Sequence, residues 1–235
     1  MKQVSCIIPA FNEATRIAPV LQSVIGHPLI SEIIVIDDGS TDDTKEIVSR
    51  FPDITLVPLQ ENGGKSAAVA EGIRRASNEL IFLLDADLAG LTAADVTALI
   101  EPVAEGRADI SISLRGNTPL FWRLIGLDYI SGERVFSKEF IAPMIGGLSS
   151  LHSFGLEVYI NRSIIKHRLR IAVVCWPTVH SAFKHHNNST ALWYFGINKD
   201  YIRMAFLVLR TISPVEAVWQ VLTMLRLRTI YRHDS

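Results

Sequence analysis

The stretch Leu80-Ile81-Phe82-Leu83-Leu84-Asp85-Ala86-Asp87 decides how this chain folds. Its first five residues are apolar with no polar alternation, which is the pattern of a strand covered on both faces. Such a strand belongs in the centre of a parallel sheet that has helices on each side. The two aspartates follow directly, so we expect them at the exit of this buried strand.

Strand and helix patterns alternate along the first half of the chain. Continuous apolar or β-branched runs predict strands, and apolar residues at i, i+3, i+4 and i+7 spacing predict the helices between them. Right-handed crossovers then bring every strand-to-helix loop to one edge of the sheet, where ligands bind. We predict an α/β fold with a mainly parallel central sheet flanked by helices, and helices at the carboxyl end. The predicted strands are 4–8, 33–36, 54–59, 80–84 and 171–176.

Composition excludes several classes of protein. The 235 residues are 49% hydrophobic, which is ample for a buried core. Cys6 and Cys175 are the two cysteines, so no disulfide framework is expected and a cytoplasmic setting is favoured. The first strand is too short for the apolar part of a signal peptide. No run of about 18 charge-free apolar residues occurs, and we therefore expect no membrane-spanning helix.

The charge of the chain is divided unevenly. The net charge is −1, but from Ile160 onward 11 bases face 3 acids, an excess of +8, while the remainder carries −9. A basic carboxyl-terminal part favours an anionic partner such as a phosphate, a nucleic acid or a membrane surface.

Acids and glycines are concentrated in the loops at the predicted ligand edge. Asp85 and Asp87 can share one hard cation, and Mg²⁺ or Mn²⁺ held there would bridge a diphosphate and neutralise the charge of a leaving group. A pair of acids after a strand is more often a turn or helix-start device, so this motif alone is weak. The loops are 11–13, 37–40, 63–65 and 85–87.

Two further loop residues suit a nucleotide. Asp38 precedes a Gly-Ser turn that lets a carboxylate accept hydrogen bonds from a base or ribose, although an acid near a helix start also interacts well with the helix dipole. Lys65 follows two glycines at a helix start, where an ammonium and backbone N–H groups can hold phosphate. A solvated lysine is the alternative.

Four segments taken together resemble a family 2 glycosyltransferase with the Rossmann-like GT-A fold. The resemblance is strong from about residue 4 to 88 and looser to Glu157. It implies a UDP- or GDP-sugar donor, a nucleoside pocket, contact of Lys65 with the phosphates, and a metal at Asp85 and Asp87. The segments are Cys6-Ile7-Ile8-Pro9-Ala10-Phe11-Asn12-Glu13, Val35-Ile36-Asp37-Asp38-Gly39-Ser40-Thr41-Asp42, Asn62-Gly63-Gly64-Lys65 and Leu84-Asp85-Ala86-Asp87. The residues implied for the nucleoside pocket are Pro9, Phe11, Glu13, Asp38 and Ser40.

The second half is similar to the acceptor-side segments of polyprenyl-phosphate sugar synthases and glucosyl-3-phosphoglycerate synthases. The similar segments are Ser131-Gly132-Glu133-Arg134-Val135-Phe136 and Ser153-Phe154-Gly155-Leu156-Glu157. Both kinds of acceptor carry phosphate, which suits the planar fork of Arg134. A surface ion pair of Arg134 with Glu133 or Glu139 is the alternative.

The sequence departs from the family pattern in two places. Many inverting members have a Glu-Asp pair whose aspartate is the catalytic base; none occurs here, and Glu157 stands in its place. Ala89 stands where related enzymes have a side chain that helps to hold the metal. His180 is the candidate third metal ligand, although a histidine in a polar loop is commonly just solvated. The candidate catalytic residues are Asp87, Glu157 and Arg134.

The predicted organisation has two parts. Residues 1–190 form the GT-A domain, with a nucleotide-sugar half at 1–114 and an acceptor half at 115–190. Residues 191–235 form basic amphipathic helices that would lie in a membrane interface or, alternatively, pack on the sheet or in a homodimer. The apolar positions of the last helix are Val215, Val218, Trp219, Leu222 and Leu225, followed by Arg226, Arg228 and Arg232.

These patterns predict transfer of a sugar to a phosphate-bearing acceptor, with polyprenyl phosphate favoured and 3-phosphoglycerate or a glycan hydroxyl as alternatives. The protein would then be cytoplasmic and peripheral on a membrane, with no nucleic-acid partner. A dinucleotide-binding enzyme is excluded because the first strand-to-helix turn lacks glycine. A phosphatase with an aspartyl-phosphate intermediate and a non-catalytic nucleotide-binding protein stay open.

Overall fold

The computed structural model describes residues 2–148, 151, 155–181 and 211–232. The strands are β1 Val4–Ala10, β2 Ile30–Asp37, β3 Thr55–Pro58, β4 Leu80–Leu83, β5 Leu88–Ala89, β6 Ile110–Arg115, β7 Arg134–Ser137, β8 Ile171–Trp176, β9 His180–Ser181 and β10 Arg228–Arg232. The α-helices are α1 Ile17–Val24, α2 Thr44–Val48, α3 Lys65–Arg75, α4 Ala93–Ala104, α5 Leu120–Ile125, α6 Lys138–Ile141, α7 Ile145–Leu148, α8 Gly155–His167 and α9 Pro214–Leu227, with a 3₁₀ turn at Ala142–Met144.

Eight of these strands form one sheet in the order β10-β8-β6-β7-β4-β1-β2-β3. Only β7 runs antiparallel to its neighbours, β4 and β6; the other pairs are parallel. Strand β4 lies near the middle and all four of its residues are buried, as is Leu84 after it. The predicted α/β fold with a mainly parallel sheet is confirmed.

Helices cover both faces of the sheet, because alternate side chains of each strand point to opposite sides. Ile81 and Leu83 of β4 join the core under α3 and α8, whereas Leu80 and Phe82 join the core under α1 and α4. Fully burying each such side chain contributes roughly 1.5–3 kcal/mol. The two cores therefore hold β4 in place and fix where its carboxyl end emerges.

Two local features place helices beside the ligand edge. Helix α4 begins with a capping box, in which Thr92 Oγ1 accepts from the Asp95 N–H and the Asp95 carboxylate accepts from the Thr92 N–H. Helix α3 packs so closely on β1 that a Cβ at Gly72 would overlap the side chain of Ile7. This close approach fixes α3, and with it Lys65 at its first position.

The carboxyl-terminal part differs from the expected run of helices. Helix α9 is present, but residues 228–232 form strand β10, which pairs in parallel with β8 at the edge of the main sheet. The earlier helical tract, at 191–210, lies outside the described residues, and the boundary at 190 stays a prediction. None of the helices in the described ranges is long and apolar enough to cross a bilayer.

Candidate active site at the carboxyl ends of the strands

A cavity of about 430 Å³ opens where β1, β2 and β4 end. Seven of the eleven predicted site residues line it, which brings residues from the ends of β1 and β2 and from the segments after β3 and β4 into one site. These seven are Pro9, Phe11, Glu13, Asp38, Lys65, Asp85 and Asp87, together with Ala10, Ala68 and Ala86. Ser40, Arg134, Glu157 and His180 are not among the lining residues.

Asp38 links two of these loops. Its two carboxylate oxygens accept hydrogen bonds from the N–H groups of Gly63 and Gly64, each at 2.8 Å. Burial raises the pKa of Asp38, and the two N–H groups oppose that rise. Gly39 has a φ of 72°, and a Cβ there would lie 3.0 Å from the Asn62 nitrogen. Only glycine suits that position, so the turn brings the loop after β3 against the loop after β2.

Ser40 and Glu13 shape the loop after β1. Ser40 is buried and accepts from the Asn12 N–H at 3.0 Å, and Asn12 itself has a left-handed φ of 55°. Glu13 is ion-paired with Arg16, with Nη2 at 2.5 Å from its carboxylate. Ser40 therefore acts by holding the Phe11–Asn12 turn, which leaves the Phe11 ring 37% exposed at the cavity.

Lys65 connects two acids that are distant in sequence. Its Nζ lies 2.6 Å from Asp85 Oδ1 and 3.4 Å from Glu157 Oε1. Burial alone would lower the pKa of Lys65, but the charges of Asp85 and Glu157 outweigh burial and raise it. Likewise, burial would raise the pKa of Asp85, and the Lys65 charge more than reverses this. Both groups are therefore ionised in the site.

Asp87 lies where negative charge is in excess. Burial raises its pKa to about 6, and the neighbouring charges of Asp85, Glu13 and Glu133 act in the same direction. Among the described residues, no cation lies within ion-pair distance of Asp87, although the charge of Lys65 partly offsets the rise. Together with Asp85 it offers the oxygen donors that Mg²⁺ and Mn²⁺ prefer, so the residues present fit a divalent ion.

The segment before β7 closes the site from the other side. Gly132 packs so tightly that a Cβ there would lie 2.5 Å from Lys65 Nζ and 2.7 Å from Asp85 Oδ2. Glu133 is fully buried and accepts from Ser113 at 2.6 Å, from Ser131 at 2.9 Å and from Arg115 Nη1 at 3.0 Å. The sequence pattern gave Gly132 and Glu133 only as members of the segment 131–136, with Glu133 as an ion-pair partner of Arg134, and it gave no role to Arg115.

Arg134 lies in the interior, away from the lining of the cavity. It is buried, and its guanidinium donates to Ser131 O at 2.8 Å, Asn161 Oδ1 at 2.7 Å and Tyr129 O at 3.2 Å. These bonds tie β7 to α8 and to the loop before β7. This burial is incompatible with the alternative surface ion pair. The contact of Arg134 with an acceptor phosphate stays a prediction, although its three protein partners favour a structural role.

Glu157 contacts the cavity through Lys65, and His180 lies in the small sheet of β5 and β9. Glu157 is 3% exposed, and its Oε2 has no hydrogen-bond partner among the described residues. His180 is exposed on β9, paired in register with Ala89 of β5, two residues beyond Asp87. Over the described ranges no three His, Cys, Asp or Glu side chains form a ready metal site. His180 as third ligand stays a prediction.

Comparisons with known proteins bear on this site. The sequence matches the model of Glycosyl transferase family 2 over residues 5–168. A dodecaprenyl-phosphate galacturonate synthase from Rhizobium johnstonii is 27% identical over 222 residues, which is 85% of this chain and 63% of that protein. A dolichyl-phosphate beta-glucosyltransferase from Trichomonas vaginalis is 38% identical over 94 residues, or 34% of this chain and 28% of that protein. The chain thus spans less than two thirds of either relative.

Solved structures of glucosyl-3-phosphoglycerate synthase from Mycobacterium tuberculosis share the fold. The complex with Mn²⁺ and UDP-glucose has a TM-score of 0.66 at 21% identity and covers 89% of this chain and 77% of that one. A complex that also holds phosphoglyceric acid has a TM-score of 0.64 at 23% identity and covers 78% and 73%. The GT-A fold predicted from the sequence is confirmed.

Proposed function

Because this chain belongs to glycosyl transferase family 2, we propose that it moves a sugar from a UDP- or GDP-sugar to polyprenyl phosphate with the help of Mg²⁺ or Mn²⁺. The observation that carries the proposal is the position of Asp85 and Asp87. Both follow the buried strand β4 and share one cavity with Lys65 and the Phe11 loop. This arrangement supports binding of a diphosphate, a cation and a nucleoside side by side.

The donor would lie across the ends of β1, β2 and β4. A cavity of about 430 Å³ falls in the size range of small-ligand sites. The exposed Phe11 ring offers a flat apolar face for a base, and Lys65 offers an ammonium for the phosphates. The structural neighbours named above hold UDP-glucose in the same fold, which supports this choice of donor.

Asp85 and Asp87 would hold the cation, with His180 as third ligand. When bound, the cation would neutralise the charge that builds on the leaving nucleoside diphosphate. Glu157 ion-pairs with Lys65 while buried, so we assign it the role of a positioning residue that orients the ammonium. This proposal replaces the role of catalytic base for which the sequence suggested Glu157.

A phosphate acceptor fits the absence of a Glu-Asp pair from this sequence. The phosphate is already ionised and attacks without a general base. Arg115, which is next to Glu133 and acts on Asp85 through its charge, lies at the end of β6 on the acceptor side. The charges of Asp85 and Asp87 both act on Arg115, whereas Arg134 donates hydrogen bonds to three protein groups.

Helix α5 favours a lipid over a soluble acceptor. It follows Arg115 and ends before Asp128, and Thr118 and Arg115 both contact that aspartate. Its outward side chains Leu120 and Phe121 are 59% and 61% exposed. Exposed apolar side chains beside a polar site can be covered by a prenyl chain, whereas 3-phosphoglycerate has no apolar part that would cover them. The relatives named for dodecaprenyl and dolichyl phosphate support the same acceptor class.

The test is a transfer assay with purified protein, a panel of nucleoside diphosphate sugars and Mn²⁺. Undecaprenyl phosphate in detergent, 3-phosphoglycerate and unphosphorylated sugars are offered as acceptors. We expect a glycolipid product from the first only. Transfer to 3-phosphoglycerate alone would support a phosphate-bearing acceptor and reject a lipid acceptor. Transfer only to a sugar hydroxyl would reject a phosphate-bearing acceptor of either kind.

The role of the cation has its own readout. UDP or GDP should raise the melting temperature only with Mg²⁺ or Mn²⁺, because diphosphate and the two aspartates repel each other without a cation between them. Equal stabilisation in EDTA would reject the metal-bridged site. Nucleotide binding without transfer to any acceptor would favour a non-catalytic nucleotide-binding protein. A polyprenyl acceptor also implies a peripheral position at a membrane; the predicted homodimer stays a prediction.

A further inference from the structure

Two cavities flank α8, and neither shares a lining residue with the cavity of the nucleotide site. One, of about 640 Å³, lies between α8 and α9, and the other, of about 650 Å³, lies between α8 and the segment after β7. Arg162 and Lys166 line both. We name the first cavity the basic groove; its lining residues are Arg162, Ile165, Lys166, Arg168, Trp219, Thr223, Arg226 and Leu227.

The basic groove carries unbalanced positive charge. Arg162 pairs with Glu216 at 2.7 Å. For Lys166, Arg168 and Arg226, all exposed, no carboxylate of the described residues lies within ion-pair distance. Four cations around one concavity, with a single acid between them, form a site for anions.

Arg168 is held in an uncommon backbone conformation. It has a φ of 51° and occupies the position after α8 that helices most often give to glycine. Its N–H bonds to Ile165 O at 3.2 Å and the Leu169 N–H bonds to Ile164 O at 3.1 Å, which is the hydrogen-bond pattern of a Schellman motif. An arginine carries a steric cost at this position that glycine avoids. Its presence here adds a cation to the rim of the groove.

The outer face of α9 is apolar and continuous with the groove. Its four large apolar side chains are each more than half exposed and follow i, i+3, i+4, i+7 spacing, which places them on one face. We name them the α9 stripe: Val215, Val218, Trp219 and Leu222. Trp219 belongs to both the stripe and the groove, whereas Gln220 and Met224 on the opposite face are buried.

We propose that the basic groove and the α9 stripe together dock on an anionic phospholipid bilayer. Headgroup phosphates would lie in the groove, and the stripe would enter the interface beside them. Soluble phosphate could fill the groove but would leave the stripe in water, which argues for a lipid surface. The inference rests on the proposed function in so far as a polyprenyl phosphate is itself held in a bilayer.

The structure changes which residues form this surface. The sequence pattern assigned Leu225, Arg228 and Arg232 to an interfacial helix. Leu225 is only partly exposed and packs against the core, and Arg228 and Arg232 belong to strand β10. Of the cations beside the stripe, Arg226 belongs to α9 itself, whereas Arg162, Lys166 and Arg168 come from the last turns of α8 and the residue after it, in a distant part of the chain.

Vesicle sedimentation of the full chain tests the inference. The vesicles contain phosphatidylcholine alone or equal parts of phosphatidylcholine and phosphatidylglycerol, at low and at high salt. We expect binding to the phosphatidylglycerol vesicles that weakens in high salt. The triple variant Lys166→Gln, Arg168→Gln, Arg226→Gln should bind roughly 100-fold more weakly, because each base near an anionic surface contributes about a fivefold factor.

A matched variant controls for net charge. Arg50→Gln, Arg74→Gln, Arg75→Gln removes three exposed cations, two from α3 and one from the turn after α2, and should bind like the parent chain. Val218→Ser with Leu222→Ser should weaken binding while preserving its dependence on phosphatidylglycerol. Melting temperatures verify that each variant is folded. Equal losses in the two triple variants, or equal binding to both kinds of vesicle, would overturn the inference.

Two further arms separate the alternatives. A rise in melting temperature with inorganic phosphate, without vesicle binding, would reassign the groove to a soluble anion. Transfer to undecaprenyl phosphate in detergent is measured on the same preparations. Transfer without vesicle binding would reject the docking surface and support the proposed function. Vesicle binding without transfer to any acceptor would support the docking surface and reject the proposed function.

Discussion

Lys65 Nζ lies 2.6 Å from Asp85 Oδ1, so an ammonium from the first turn of α3 neutralises the first aspartate after β4. The second aspartate, Asp87, has no such ion pair among the residues that the structure describes, and its pKa is raised by burial and by surrounding carboxylates. The charge of Asp85 is therefore neutralised within the protein, whereas the charge of Asp87 is left for a bound cation to neutralise. This asymmetry leads to the first two predictions.

Replacing Lys65 with methionine should lower stability in EDTA. The change leaves Asp85 and Glu157 without their shared cation, and we expect a loss of about 1–2 kcal/mol, because a side chain 35% exposed is partly screened by solvent. Mn²⁺ should restore part of this loss, since it offers Asp85 another cation. Chemical unfolding with and without Mn²⁺ measures both effects.

Lys45→Met is the matched control for that experiment. Lys45 also faces a buried aspartate, with Nζ 3.5 Å from Asp37 Oδ2, and lies outside the cavity. Mn²⁺ should leave the stability of this variant unchanged. If Mn²⁺ stabilised both variants to the same extent, the assignment of the cation to Asp85 would be wrong.

Asp87→Asn should reduce sugar transfer by at least about 100-fold, the usual effect of removing a group that stabilises charge in a transition state. The fold should persist, because Asp87 lies past the buried residues of β4. A folded-state pKa raised to about 6 means that the contribution of this carboxyl to stability is present below its ordinary pKa and is lost as pH rises through about 6.

The pH dependence supplies a second readout for Asp87→Asn. In EDTA the variant should be more stable than the parent above pH 6, and this advantage should shrink as the pH falls towards 4. Melting curves between these pH values check the sign. Full transfer activity in the variant, or an advantage that grows at acid pH, would contradict the position assigned to this carboxylate.

Gly132→Ala should lower kcat/KM by roughly 10–100-fold with a small change in melting temperature. The added Cβ would lie 2.5 Å from Lys65 Nζ and 2.7 Å from Asp85 Oδ2, so the ion pair must shift, and small displacements in a site cost rate of this order. Gly146→Ala is the control, since no heavy atom of the described residues lies within 4 Å of a Cβ built there. Unchanged kinetics for Gly132→Ala would show that this contact is irrelevant to catalysis.

Arg134→Met should act on stability and leave acceptor recognition alone. Three hydrogen bonds of a buried guanidinium are lost, and we expect about 3 kcal/mol or more of destabilisation. The exposed Arg123 of α5 is the control, because Arg123→Met should change stability by less than about 0.5 kcal/mol. A raised acceptor KM with normal stability would return Arg134 to the role that the sequence suggested.

Hydrophobic pattern alone determined the sheet and the edge at which the site lies. A five-residue apolar run followed by Asp85 has one consistent placement, because a strand so apolar must be covered on both faces and its polar continuation must emerge at the end. Crossover handedness then brought the loops of Asp38 and Lys65 to the same edge as Asp85. Strand 171–176 followed from the same local reasoning and has the predicted bounds.

Tertiary structure alone decided the partners of the charged groups. Residues 65, 85 and 157 meet only after α3, β4 and α8 have packed, and periodicity carries no information on contacts across such separations. Arg134 was predicted to lie at the surface because charged side chains are rarely buried, and because its strand of four residues is too short to show a periodic hydrophobic pattern. Residues 228–232 were likewise predicted to belong to a helix. They form strand β10 instead, because pairing with β8 outweighs the local conformational preference of five residues. Patterns of burial are local properties of a chain, whereas the pairing of charges and the choice of a strand partner depend on the whole fold.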